Sequence, residues 1–253
     1  LMAKALGKDR KYLVLNNKED LNDRNLKYFK RLIKVRALKK PIAHITNKKF
    51  FWNYEFFVTK DTLIPRPDTE LVIEQTLNLT KHKSKMNILD IGVGSGCILL
   101  TILRERKDFY GTGIDISKNC LNISKINAKN LKVEERTSFY KTDVDKFALG
   151  KYDLIVSNPP YINSYDFKYL ENEVVNFEPR LALDGGLDGL SEIRKVIKKS
   201  SELIKKNGKF ILEIGFNQKN KVINLLKKEG FYINSTLKDL ANNDRCIVST
   251  KYN

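Results

Sequence analysis

Cysteine and histidine are scarce here, at three and two residues in a chain of 253. Cys97, Cys120 and Cys246 are scattered, odd in number and without metal-ligand spacing, which argues against a disulfide scaffold and a zinc module. His44 and His82 are equally isolated, so a histidine-based triad is not supported. No apolar run approaches the roughly 20 residues that cross a bilayer. No basic start followed by an apolar stretch and a cleavage site opens the chain, so no secretory signal is read. Cytoplasmic, reduced thiols are the expectation. Internal repeats and low-complexity linkers are missing too. The first residue is Leu and lies inside a helical pattern, so a cut N-terminus is expected.

Acidic residues are outnumbered 30 to 47, for a net charge of +17. Such a balance can mark an anionic partner. Lys outnumbers Arg 36 to 11, however, and the lysines are spread along the chain rather than clustered. A solvated basic surface is the simpler reading, with RNA contact as the rival.

The length suits one large domain plus a small one. Residues 1–46 read as helical and basic. Within 20–38, Leu21, Leu26, Phe29, Leu32, Ile33, Val35 and Leu38 recur at helical spacing, and Pro41 should end that helix. The aromatic stretch 49–60 reads as a hairpin turning at Asn53, part of a linker over 47–66. It suits packing between domains better than ligand binding. Asp68 and Glu70 fit the first turn of the next helix.

From residue 86 strands and helices alternate. Strands are expected at 87–91, 110–114, 137–141, 154–157, 209–214, 231–237 and 245–250. Helices are expected at 96–106, 118–130, 189–206 and 218–229. This alternation argues for an α/β domain over 67–253, with an open, mostly parallel sheet and helices on both faces.

Two strand ends carry chemistry. The first strand runs through Asp90 into Gly92-Val93-Gly94-Ser95-Gly96. Three glycines let the backbone pass close to a ligand and begin a helix. Asp115 ends the next strand, where a carboxylate accepts from both ribose hydroxyls. Asp143 ends the third, placed to accept from an adenine amino group with Val144 against the ring. These features alone fit either a nicotinamide or flavin site or an S-adenosylmethionine site. The spacing is Gly-x-Gly-x-Gly, which lacks the full pyrophosphate cradle. Asn158-Pro159-Pro160-Tyr161 decides for S-adenosylmethionine. By itself that tetrapeptide could be only a rigid turn. At a strand end facing the methyl position, Asn158 Oδ1 and a proline carbonyl can hold the two hydrogens of a planar NH2 group, with Tyr161 against its face. Asp90 either anchors the glycine turn or meets the methionine amino group, directly or through water.

At this point the chain resembles a known family, the HemK/PrmC protein-(glutamine-N5) methyltransferases. The segments that carry the likeness are Lys40 to Thr46, Phe51-Trp52, Thr62 to Glu70, Asp153 to Ile162 and Glu178 to Gly186 with Asp188-Gly189-Leu190. Leu212 to Gly215 with Gln218, and Asp239-Leu240-Ala241 with Asp244-Arg245, complete it. The family usually has Thr where this chain has Val93, and some members have an aromatic residue in place of Val144. The N-terminal region looks about one helix short of the family's. Some members are fused to a C-terminal tRNA guanine-N7 methyltransferase, and this chain could be the first part of such a protein.

The resemblance implies a Rossmann-like class I S-adenosylmethionine methyltransferase sheet with a small helical N-terminal domain. It implies peptide chain release factors as partners, methylated on the glutamine of a Gly-Gly-Gln loop. Residues 1–46 would clasp the release factor. Arg66, Glu178 and Arg180 would contact substrate or, equally, form structural ion pairs. A monomer is expected, since no exposed apolar helix is evident. The rival substrate class is nucleic acid, because adenine-N6 and guanine-N2 methyltransferases on DNA, rRNA or tRNA grip a flipped base with the same tetrapeptide. No zinc finger, helix-turn-helix or aromatic–basic recognition module supports that rival. A non-enzymatic nucleotide-binding module would require this intact loop to be vestigial.

Overall fold

A computed structural model describes residues 1–252. Four helices come first: α1 (Met2–Leu6), α2 (Arg10–Leu15), α3 (Asp23–Ala37) and α4 (Ile42–Thr46). Asn22 caps helix α3: its side chain accepts from the Asn25 amide at 2.9 Å and so satisfies one orphan N–H of the first turn. Pro41 is not the stop signal of α3. The helix already ends at Ala37, and the Pro41 carbonyl accepts from His44 and Ile45 to open α4. Ala5, Leu32 and Ile45, flanked by Leu1, Phe29 and Val35, form a small core of their own.

The hairpin pairs β1 (Lys48–Phe51) with β2 (Tyr54–Phe57) through a two-residue turn, Trp52-Asn53. The left-handed residue is Trp52, at φ 53°, rather than Asn53. External contacts offset that unfavourable φ. The Trp52 amide donates to Glu70 at 2.7 Å, and its indole N–H donates to Glu105 at 3.0 Å. Phe51, Phe56 and Val58 are buried in the same cluster as Ile88, Leu100 and Val156. The hairpin thus packs into the core of the sheet domain.

A short 3-10 turn over Pro67–Thr69 leads into α5 (Glu70–Leu79). There follow β3 (Asn87–Ile91), α6 (Cys97–Glu105), β4 (Tyr110–Asp115), α7 (Lys118–Asn130), β5 (Thr137–Lys141), β6 (Tyr152–Ser157), α8 (Asn172–Phe177) and α9 (Ser191–Leu203). The chain closes with β7 (Ile204–Glu213), α10 (Lys219–Lys228), β8 (Phe231–Lys238) and β9 (Asp244–Lys251). Helix α9 is shorter than its apolar pattern suggested. Strand β7 begins at Ile204, which pairs with Tyr152 before a register shift.

The sheet order is β5-β4-β3-β6-β7-β9-β8. The first five are parallel, and β9 runs antiparallel to both β7 and β8. Alternate residues feed two cores, as the period of two in a strand requires. Ile88, Leu154, Val156 and Ile211 face the hairpin, α5 and α6. Leu89, Ile91, Ile155, Phe210 and Leu212 face α9 and α10. From β3 the chain winds outward to β5, then returns to β6 on the other side of β3. The carboxyl ends of β3 and β6 therefore flank a topological switch point, where open α/β sheets bind ligands. Among the described residues no helix is long and apolar enough to cross a membrane.

Candidate active site

The glycine turn follows β3. Gly92, Gly94 and Gly96 have φ of 78°, 56° and 83°, which L side chains rarely adopt. A Cβ on Gly92 would meet nothing within 4 Å, and one on Gly94 only the Gly92 carbonyl at 3.9 Å, so their outer side is open. Gly96 has a different reason: its Cβ would sit 2.7 Å from Leu100 Cδ1. The turn is held from behind by α7. Ser124 Oγ donates to the Gly94 carbonyl at 2.8 Å, and Asn127 Nδ2 donates to Ser95 at 2.8 Å and to Phe57 at 2.9 Å.

Asp115, at the end of β4, accepts the Gly94 amide at 3.0 Å and the Ser117 amide at 2.8 Å, one on each oxygen. Each oxygen keeps a lone pair for a hydroxyl. Burial raises the Asp115 pKa, and those amides oppose the rise. Asp90 is 1% exposed. Its Oδ2 accepts the Leu99 amide at 3.3 Å, while Oδ1 is buried without a partner. Burial pushes its carboxyl up to about 7, against the Leu99 amide and helped by the charge of Asp115. An unpartnered buried oxygen beside an open glycine turn is the signature of a missing donor. Asp143 accepts the Asp145 amide at 3.0 Å through Oδ1, and Val144 packs partly into the core behind it.

The second strand end lies beside the first, because Ser157 pairs with Ile91 and Ser157 Oγ donates to the Ile91 carbonyl at 2.7 Å. Asn158 Nδ2 donates to Thr69 Oγ1 at 3.2 Å, which leaves Asn158 Oδ1 as a free acceptor. Among the described residues no amide or side chain donates to the Pro159 carbonyl, so a second free acceptor stands next to it. Gln218 pins the loop's far end. Its Nε2 donates to the carbonyls of Tyr161 at 3.0 Å and Gly189 at 2.9 Å, while its Oε1 accepts the Gly215 amide. The Tyr161 hydroxyl donates to Glu213 Oε1 at 3.3 Å and accepts from Arg245 at 3.4 Å. Arg245 is oriented by Asp239 at 2.9 Å.

The three substrate-side residues fare differently. Arg66 and Glu178 pair with each other, and Glu178 Oε2 also accepts the Ile64 amide at 3.1 Å. The Glu178 side chain is 2% exposed, so it faces inward and staples the segment before Pro67 instead of reaching for a substrate. Arg66 keeps part of its guanidinium in the open. Arg180 is exposed, paired with Asp184 at 3.1 Å and lying over the Phe167 ring. Its segment is tied to the exit of the Asn158–Tyr161 loop by the bridge between Ile162 and Asp184.

Sequence comparison gives this arrangement a family. The PrmC N-terminal domain matches residues 1–46, and the methyltransferase small domain matches residues 68–187. A release factor glutamine methyltransferase from Clostridium acetobutylicum is 36% identical over 99% of this chain and 89% of its own length. This chain belongs to the release factor glutamine methyltransferase family. The relative from Caulobacter vibrioides is 36% identical over 98% of the chain and 86% of its own length. A bifunctional methyltransferase from Rickettsia conorii is 32% identical over the whole chain, which spans 53% of that protein. Among solved structures, a ribosomal protein L11 methylase from Lactobacillus delbrueckii subsp. bulgaricus shares the fold, with a TM-score of 0.56 and 16% identity. It covers 76% of this chain and 82% of its own. The release factor glutamine methyltransferase family is S-adenosylmethionine-dependent, and the chain is a class I methyltransferase in fold.

Thr69, Gln218, Asp239 and Arg245 carry no local signal of a role in the sequence. The available signal was Glu213 itself, an acid directly after the apolar run Phe210-Ile211-Leu212. It is 1% exposed, and burial pushes its carboxyl up to about 7, opposed by Thr69, Arg245 and Tyr161. Unfolding returns it toward 4.5. Between those values the folded protein holds more protons than the unfolded chain, so stability is lost as pH rises through about 7. Asp90 acts with the same sign. Melting curves without cofactor should therefore show Tm falling across this window, with a shallower fall in Glu213→Gln. Superimposable slopes for the two proteins would reject this account.

Proposed function

We propose that Asn158 and Pro159 grip the side-chain amide of a glutamine while its nitrogen receives a methyl group from S-adenosylmethionine. The glutamine is that of the Gly-Gly-Gln loop in peptide chain release factors. The observation that carries this reading is the pair of free acceptors, Asn158 Oδ1 and the Pro159 carbonyl, at the switch point beside an open glycine turn.

The residues present fit the cofactor. Asp115 retains two lone pairs for ribose hydroxyls, and Asp90 Oδ1 lacks the donor that the methionine ammonium would supply. Gly92, Val93, Gly94, Ser95 and Gly96 would line it, with Asp143 and Val144 toward the adenine. When bound, S-adenosylmethionine supplies an electrophilic methyl group on a sulfonium.

A carboxamide nitrogen is a poor nucleophile because its lone pair is delocalised into the carbonyl. Asn158 Oδ1 and the Pro159 carbonyl accept its two hydrogens, which orients the nitrogen and stabilises positive charge as it develops there. Pro160 stiffens the turn, and the Tyr161 ring limits sliding of the amide plane. The nitrogen sheds a proton after the new C–N bond forms, so no strong base is needed beforehand. Arg66 and Arg180 border the approach. Helices α1–α4 provide the contact surface for the release factor, and Arg36 of α3 reaches Glu173 of α8 at 2.7 Å to join that surface to the segment after the catalytic loop.

The test is methyl transfer from labelled S-adenosylmethionine to an unmodified release factor, its Gly-Gly-Ala variant, and bulk tRNA and rRNA. Label on the first alone is expected. Label on RNA with a silent release factor would overturn the proposal and give the net charge of +17 a function.

A further inference from the structure

Thr69 closes the turn before α5 and meets the amide-gripping loop. It is 2% exposed, and its Oγ1 accepts from Asn158 Nδ2 at 3.2 Å. A hydroxyl can accept or donate. Here Thr69 meets Asn158 as an acceptor. The NH2 end of Asn158 is drawn to Thr69, and the oxygen end turns away from it. With the ends reversed, Asn158 would face the substrate NH2 with N–H donors, and the amide grip would become a repulsion.

We propose that Thr69 is a positioning residue that fixes the Asn158 amide with Oδ1 toward the substrate nitrogen. This inference rests on the reaction proposed above. The end of one strand and the turn before α5 make up the device. Asn158 follows β6, and Thr69 closes the 3-10 turn.

Thr69→Val keeps size and branching and removes the hydroxyl, while Thr69→Ser keeps the hydroxyl. Thr69→Val should lower kcat for release factor methylation by about 10²-fold, the effect of a misplaced contact, with cofactor affinity unchanged. Thr69→Ser should recover most of the rate. Combined with Asn158→Ala, Thr69→Val should add almost nothing, because both act through one contact. A wild-type rate in Thr69→Val would overturn the inference, as would a Thr69→Ser as slow as Thr69→Val or losses that multiply in the double variant.

A further readout needs no substituted Thr69. In wild-type protein, NMR should show one Asn158 side-chain amide hydrogen shifted and slow to exchange, assigned by its loss in Asn158→Asp. Free-amide behaviour would also overturn the inference. A wild-type protein inactive on release factor would instead count against the proposed reaction, leaving the NMR result to decide the orientation of Asn158.

Discussion

Asn158→Ala should lower kcat by about 10²–10³-fold, the cost of removing one oriented polar group at a site of developing charge. Cofactor affinity should stay close to that of the wild type. The split follows from where the contacts lie. Asn158 Oδ1 is one of two free acceptors at the loop, and the Pro159 carbonyl alone cannot fix both hydrogens of an NH2 group. The groups that would hold the cofactor, Asp90, Asp115 and the glycine turn, hang on β3, β4 and α7. The loop itself keeps its anchors, since Ser157 still bonds Ile91 and Gln218 still bonds the Tyr161 carbonyl. Single-turnover methylation with labelled cofactor measures the first quantity and calorimetry the second. An unchanged single-turnover rate would remove Asn158 from the reaction.

The largest expected loss of stability comes from a residue that touches no substrate. Gly189 has φ 70°, and a Cβ there would lie 2.7 Å from the Tyr161 carbonyl oxygen and 2.8 Å from Gln218 Nε2. Neither can give way. The first is backbone of the Asn158–Tyr161 loop. The second is a buried side chain already donating to both Tyr161 and Gly189. Gly189→Ala combines about 1–2 kcal/mol of left-handed strain with about 1–3 kcal/mol of overpacking. At roughly 2–4 °C per kcal/mol for a chain of this size, Tm should drop by about 10 °C. Methyl transfer should fall with it, because the clash pushes on Tyr161. Gly7→Ala is the control: φ is 63° with nothing within 4 Å of the added carbon, so only strain remains. Equal melting shifts in the two variants would show that the contact with Tyr161 is not the cause.

How much of this was legible in the sequence depended on whether a signal was local. The glycine turn was, because three glycines after an apolar run leave few alternatives. So was the Asn158–Tyr161 loop, since two prolines cannot continue a ladder. The parallel core followed from alternation of elements. Boundaries misled where tertiary contacts overrode local preference. Trp52 takes the left-handed φ that Asn53 would accept more readily, because Glu70 and Glu105 reward it. Ile204 continues an apolar stripe that reads as helix, yet it pairs with Tyr152 as strand. For Glu178 the sequence left substrate contact and a structural ion pair equally open, and only the fold brings Arg66 and Ile64 to it. The support for Asn158 was hardest to foresee. Thr69 lies 89 residues from Asn158, and no spacing rule links residues that meet only where a turn reaches the end of a strand.

The hairpin carries a consequence for protein engineering. Phe51, Phe56 and Val58 fill the core beneath the sheet, whereas Ala5, Leu32 and Ile45 form a separate small core. A chimera that borrows another relative's N-terminal helices should be spliced at Asn47, where the left-handed φ of 58° already breaks the chain's course. A splice at Arg66 would carry the aromatic wedge away with the donor and leave Ile88 and Val156 facing a stranger's side chains. The graft junction thus lies before the first β-strand.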